Sequence, residues 1–407
     1  MIEFSIYTIF TLYTAYAASF LEGDWFQIVV LLYLSVLFAL KKLRVDNEII
    51  IFFFVWCSIN GLALLLNRGD DFKLISFLSV SARMLFPYLM LKIVGRDFFK
   101  GLFDYWFILC LMGLPFYIIE LVTPDFVQSL APKLNFITQQ EQTERGGFYL
   151  FFYMHNYYAS SFYTSIARNS GFLWEPGAYA VVLVFMIVYN NIANEYKINW
   201  KTIVLTVCLL TTLSTSGYLA LFFIFVISLY QNNNIFLRYK AILPVVVIIV
   251  GIAATVFYFS ADFMSNKIDR YIEQGTKSYQ WSFGDNKAVR VSRIGIAIIA
   301  LENAVRDPWG NGIVTSDYVI DQYHNAVGPN SLATILFHWG WIGLVGLFYS
   351  LYNFRVEKIK CRFLLMLPLA IPLFSNPFAF RTLIYAIVYS VLCIPEMKYE
   401  TEDEDYC

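Results

Sequence analysis

Histidine and charge are the two scarcities of this chain. It has three histidines in 407 residues, and only 14 % of its residues are Asp, Glu, Lys or Arg, against about a quarter in an ordinary soluble domain. So thin a supply of charge excludes a large solvated surface, and a formal net charge of −1 excludes nucleic-acid binding driven by bulk charge. Cysteine offers no framework. Cys57, Cys110, Cys208, Cys361, Cys393 and Cys407 form no CxxC and no Cys/His ligand spacing, so neither a disulfide scaffold nor a metal centre is expected. No cofactor is expected.

What is abundant is apolar. Hydrophobic residues make up 59 % of the chain and the mean hydropathy is +0.59. The excess is gathered in blocks long enough to cross a bilayer, roughly 20 residues each. The blocks predict about twelve transmembrane spans, near 3–21, 25–40, 49–66, 72–94, 102–122, 175–193, 200–214, 217–230, 241–260, 329–353, 362–374 and 378–395. The expected fold class is all-α, a polytopic integral membrane protein whose single membrane domain covers 1–407. Ala15-Tyr16-Ala17 resembles a signal-peptide cleavage site, but Glu3 and the lack of Lys or Arg before the apolar block predict a first span that stays on the protein.

Cations fix the expected orientation. Lys41, Lys42, Arg44, Lys92, Arg96, Lys100, Lys197, Lys201, Arg238, Lys240, Arg355, Lys358, Lys360, Arg362 and Lys398 fall on one side of the alternating spans. The other side's short connections hold Arg68, Lys73 and Arg381. The cation-rich side is the expected cytoplasmic one. Both termini are then cytoplasmic, and two long loops, 123–174 and 261–328, face outward.

Charge is spent at a few places. In "RNSGFLWEPGAYA", Arg168 and Glu175 stand where the first outer loop returns to the membrane, with Pro176 suited to a first helical turn. A capped helix with a surface ion pair explains them; so does an anion grip by Arg168 with Glu175 orienting it or a reacting hydroxyl. The second loop ends in "NKAVRVSRIGIAIIALENAVRDPWGNGI". There Lys287, Arg290 and Arg293 recur every three residues, one helical face. That face is either an amphipathic interfacial helix with snorkelling cations or a phosphate clamp, for which arginine's planar donor fork is suited. Two of the three histidines lie in "HNAVGPNSLATILFHWGWIGLVGL": His324 with Asn325 just before the tenth span, and His338 inside it, which Asn330 and Ser331 open. Either histidine alone is more often structural, and the polar loop makes His324 the candidate general base. Arg83 lies mid-span in "SVSARMLFPY", a costly place that marks a functional or tightly paired group. Arg381 sits just inside the outer end of the last span, with Glu120 a candidate partner for either arginine.

Taken in order, these segments resemble the bacterial O-antigen polymerases of the Wzy type. "RNSGFLWEPGAYA" is similar to their R-x-x-G-x-x-x-E-P stretch and "LSTSGYLALFF" to their polar TxSxG opening an apolar run. "RVSRIGIAIIALENAVRDPWGNGI" is similar to their R-(apolar helix)-P-x-G-x-G segment, and "PNSLATILFHWGWIGLVGL" to their N-x-L…G-x-x-G-L span. The resemblance covers roughly 160–350. The related O-antigen ligases carry His-Asn where the tenth span begins. Counted back from Gly340, that histidine position holds Pro329, with Asn330 retained and His324-Asn325 five residues early. This departure favours polymerase over ligase.

The resemblance implies a GT-C-like membrane glycosyltransferase in the bacterial inner membrane, acting at the periplasmic face without metal. Its substrates would be undecaprenyl-diphosphate-linked oligosaccharide repeat units, and its leaving group undecaprenyl diphosphate. A chain-length regulator protein is an expected partner, besides the lipid bilayer. Arg290 and Arg293 are then expected on the donor diphosphate, with Lys287 beside them and Arg168 shared or on the acceptor. His324 or Glu175 takes the hydroxyl proton, and Asn330 and His338 orient sugar or phosphate. Arg83 and Arg381 complete the expected substrate contacts. Two rivals are a ligase passing the finished chain to lipid A core, and a flippase for the same lipid-linked sugars. A flippase needs charges along a central cavity in several spans, and Arg83 is the only clearly mid-span charge. A third is an inert assembly partner.

Overall fold

A computed structural model of the chain describes residues 2–15, 24–66, 74–123, 146–149, 152–155, 168–197, 199–231, 293–313, 330–356 and 359–393. The described residues are mostly helical. In chain order the helices are α1 (Ile2–Ala15), α2 (Asp24–Leu40), α3 (Asn47–Leu65), α4 (Leu74–Val94), α5 (Phe98–Val122) and α6 (Pro176–Ala193), then α7 (Trp200–Thr211), α8 (Thr215–Gln231), α9 (Arg293–Arg306), α10 (Ser331–Asn353), α11 (Phe363–Ser375) and α12 (Thr382–Leu392). Eleven of the expected spans fall on these helices; the span at 241–260 lies outside the described residues, as do most of both long loops. Five helices, α3, α4, α5, α6 and α10, are long and apolar enough to cross a membrane. α1, α2, α7, α8, α11 and α12 are shorter.

Two short antiparallel hairpins interrupt the helices. β1 (Gly146–Tyr149) pairs with β2 (Phe152–His155) in the first loop, where a run of aromatic residues favours extended backbone. β3 (Arg355–Val356) pairs with β4 (Ile359–Lys360) between α10 and α11.

α6 is the axis. Its sequence, PGAYAVVLVFMIVYNNIA, is apolar on every face, and nearly every residue of it is buried, as expected of a helix enclosed on all sides. α7, α8 and α11 pack around it. At its far end Asn190 donates to Asn199 Oδ1 (3.0 Å) and to Thr202 Oγ1 (2.8 Å), and Asn199 also caps α7 by accepting from the Thr202 N–H at 2.9 Å. A second aromatic seam joins α3, α4, α10 and α12: Trp56 stacks on Trp339 at 4.4 Å, and Phe52 lies 5.0 Å from both Trp339 and Tyr389. The periphery is the reverse of a soluble surface. Phe54, Leu65, Trp25 and Val122 are all more than two-thirds exposed, which suits a hydrocarbon solvent.

Cations from separate connections meet at one end of the bundle. Lys92 pairs with Asp46 at 3.2 Å, Lys41 donates to the Ile93 carbonyl at 2.7 Å, and Lys201 pairs with Asp104 at 2.9 Å. These are residues that the positive-inside count places together.

The largest departure from simple spans is at α9 and α10. α9 runs beside the first half of α10 in the same direction: Asn330, at the start of α10, reaches the Arg293 carbonyl (3.1 Å), and Trp341 reaches the Ala304 carbonyl (3.2 Å). The loop after α9 then plugs a break in α10. Gly340 has φ 63° and ψ −160°, so the usual bond from the Trp341 N–H to the Phe337 carbonyl is lost. The loop replaces both partners: Trp341 donates to the Pro308 carbonyl (3.1 Å), and Phe337 accepts from the Asn311 N–H (2.9 Å). Gly312 donates to the His338 carbonyl at 3.0 Å. A backbone freed inside a bundle is satisfied by its neighbours rather than by water.

Asn60 of α3 completes this seam. Its Oδ1 accepts from the half-buried Ile313 N–H (2.8 Å) while its buried amide donates to the Trp56 carbonyl (2.8 Å). Asn60→Leu takes the acceptor from the half-buried Ile313 N–H, an expected loss of about 1 kcal/mol. A lowered midpoint in thermal unfolding of the purified protein in detergent checks it.

Candidate functional site

Four helices begin at one place. The N-termini of α6, α9, α10 and α12 are joined by side chains at the end of the bundle opposite the cation-rich connections. Asn330 caps α10 by accepting from the Ala333 N–H at 3.0 Å, and its amide binds the Arg293 carbonyl at the start of α9. Ser331 bonds to the Asn376 carbonyl and accepts from the Phe378 N–H (2.5 Å), which ties α10 to the turn between α11 and α12. On the other flank Trp174 stacks on Phe378 at 5.6 Å, and the Arg381 guanidinium lies 4.5 Å over the Trp174 ring. Trp174 precedes Glu175, the N-cap residue of α6.

The turn into α6 is tight for a reason visible at Gly177. A Cβ there would fall 2.2 Å from Asn376 Oδ1, so α6 approaches the α11 terminus closely only because residue 177 has no side chain. Asn376 is buried, its amide donates to the Pro372 carbonyl at 2.7 Å, and its Oδ1 has no hydrogen-bond partner among the described residues.

The electrostatics run against the usual preference. A helix N-terminus carries partial positive charge and favours anions. Glu175 obeys that rule, although its carboxylate does not cap its own helix. Arg293 opens α9 and Arg381 is the N-cap residue of α12, so each sets a full positive charge at a positive pole. Two arginines and one carboxylate thus stand at the starts of helices whose N-termini are joined, and the four positive helix poles gathered there favour an anion.

Arg168 belongs to an adjoining layer. Its Nε donates to the Thr212 carbonyl (3.0 Å) and its NH2 group to the Leu213 carbonyl (3.1 Å), closing the C-terminal end of α7 in the manner expected of a cation there. Asn169 reinforces this by donating to Thr211 Oγ1 at 2.9 Å. The "RNSG" and "LSTSG" segments are thus clasped together.

The remaining residues lie deeper. Arg83 lies half-buried midway along α4. His338 is inside α10, its Nδ1 at 2.5 Å from the Gly312 carbonyl and its ring 5.0 Å from Phe380. That bond makes it part of the α9–α10 plug. Lys287, Arg290, His324 and Asn325 lie outside the described residues. Among the described residues no group of three His, Cys, Asp or Glu has metal-binding geometry.

No family model, curated protein or solved structure matches this chain. Its site is therefore read from its own geometry. Reading the sequence had not picked out Trp174 or Asn376. Two signals were present: a tryptophan directly before Glu-Pro, and the polar pair Ser375-Asn376 directly before Pro377 in an apolar run.

Proposed function

We propose that this protein is a membrane glycosyltransferase of the O-antigen polymerase type, joining undecaprenyl-diphosphate-linked oligosaccharide repeat units at the periplasmic face of a bacterial inner membrane. One observation carries the reading: Arg293 and Arg381 stand at convergent helix N-termini, an arrangement suited to a diphosphate. In the reaction the anomeric C–O bond to the donor's diphosphate breaks, and a hydroxyl oxygen of the acceptor unit takes its place. The hydroxyl proton passes to a base, and undecaprenyl diphosphate departs carrying the bonding electrons. Negative charge grows on the departing diphosphate, so fixed guanidiniums stabilise the transition state more than the ground state.

Glu175 is the described candidate for the base. Its carboxylate makes no hydrogen bond within the described residues, and a positioned base contributes about 10²–10⁴-fold. Arg381, braced on Trp174, holds substrate beside it. Asn330 acts through Arg293, whose carbonyl it anchors, and so positions rather than reacts.

Deleting the gene in its native background tests the reading. A polymerase deletion leaves surface polysaccharide as core plus one repeat unit on a gel, and restoring the gene restores the ladder. Bare core would instead identify the ligase, and repeat units held at the inner leaflet would identify the flippase.

A further inference from the structure

A cavity of about 330 Å³ lies at the other end of the bundle, independent of the proposed catalysis. It is walled by the α4–α5 turn, the last turns of α6, α10 and α12, and the β3–β4 hairpin. Four cations line it, Arg96, Lys100, Arg355 and Lys360, with Asp97 the one carboxylate among the lining residues. Lys100, Arg355 and Lys360 form no ion pair within the described residues. These cations come from connections some 250 residues apart in sequence, and holding them together costs repulsion that a bound anion relieves. The volume equals roughly ten waters at ~30 Å³ each, room for a glycerophosphate group.

One wall continues into lipid. Ile342, Val345 and Tyr349 form a single exposed stripe on α10, 50 %, 63 % and 55 % exposed, and Tyr349 also lines the cavity. An apolar track that ends in a basic pocket at the cation-rich surface matches a phospholipid, acyl chain along the helix and phosphate at its foot. We propose that this cavity binds the headgroup of an anionic phospholipid from the cytoplasmic leaflet, with Lys100, Arg355 and Lys360 on the phosphate and the α10 stripe along one acyl chain.

The test uses the full chain in detergent, with phosphatidylglycerol or phosphatidylcholine added and retained lipid counted by native mass spectrometry. The wild type is expected to retain phosphatidylglycerol in preference. Each of Lys100→Gln and Lys360→Gln should weaken retention about fivefold, from the roughly 1 kcal/mol per basic residue typical of such contacts. Lys197→Gln, exposed on the same end but outside the cavity, should change nothing. Circular dichroism establishes that each variant is folded. Equal retention of the two lipids, or undiminished phosphatidylglycerol on the folded double variant, overturns the proposal. Displacement of the lipid by millimolar inorganic phosphate overturns the lipid source and assigns the pocket to a free anion.

Discussion

Arg293→Ala is expected to leave a folded protein in the membrane and almost no polymer above one repeat unit. Arg293 is the described member of the cation series that also holds Lys287 and Arg290, and it is half-buried at the first residue of α9. Its backbone is held by Asn330 whatever the side chain, so truncation removes the charge without releasing the helix end. Loss of a preorganised donor aimed at developing negative charge costs about 10²–10³ in turnover. A helix freed of a cation at its N-terminus is, if anything, more stable by about 0.3–1 kcal/mol. The two effects have opposite sign, and that pairing is diagnostic. Transfer of labelled repeat units by the purified protein should fall at least a hundredfold while its thermal midpoint holds or rises. Lysine at this position keeps the charge without the bidentate fork and should recover only part of the rate. Normal chain length in Arg293→Ala would refute the diphosphate grip.

Gly340→Ala should have the largest effect on stability. The residue combines φ 63° with ψ −160°, a region that is essentially closed to residues with a Cβ and costs about 1–3 kcal/mol. A Cβ would also stand 2.2 Å from the Pro308 carbonyl oxygen and 2.5 Å from the Trp309 carbonyl carbon. Those atoms are backbone and cannot swing aside. Gly310 faces the same crossing, where a Cβ would come 2.4 Å from the Gly340 nitrogen. Overpacking adds about 1–3 kcal/mol more. Either substitution should drive the plug out of α10, with a lower unfolding midpoint in detergent and poor recovery from the membrane. Gly346→Ala is the control, because nothing lies within 4 Å of a Cβ there. An unchanged midpoint for Gly340→Ala would mean that the two backbones do not cross at that distance.

The helices were legible because hydropathy and length are written locally. Eleven apolar blocks lie on helices, and four of the cations counted on one side, Arg96, Lys100, Arg355 and Lys360, line one cavity. The α9–α10 plug was not legible. P-x-G-x-G and G-x-x-G stood in the sequence as two separate segments of the resemblance, and only the fold brings Gly310 onto Gly340. His338 looked like a candidate for chemistry because histidine is rare here; its bond to the Gly312 carbonyl comes from a loop 26 residues away. Arg168 read as an anion grip; its bonds to the Thr212 and Leu213 carbonyls are a pairing across two connections that no local pattern encodes. Arg293 and Arg381 were visible as charges, whereas their shared place at helix poles depends on long-range contacts through Asn330, Ser331 and Trp174.

The enclosure of α6 bears on biogenesis. α11, one of the helices that surround it, is synthesised about 170 residues after it. Until α11 arrives, that flank of α6 must rest against acyl chains, which its uniformly oily composition permits. The axis of the finished bundle therefore starts life as an ordinary lipid-bathed segment. A nascent chain arrested before residue 363 should then be labelled along α6 by a photoactivatable lipid, and the full-length chain should not.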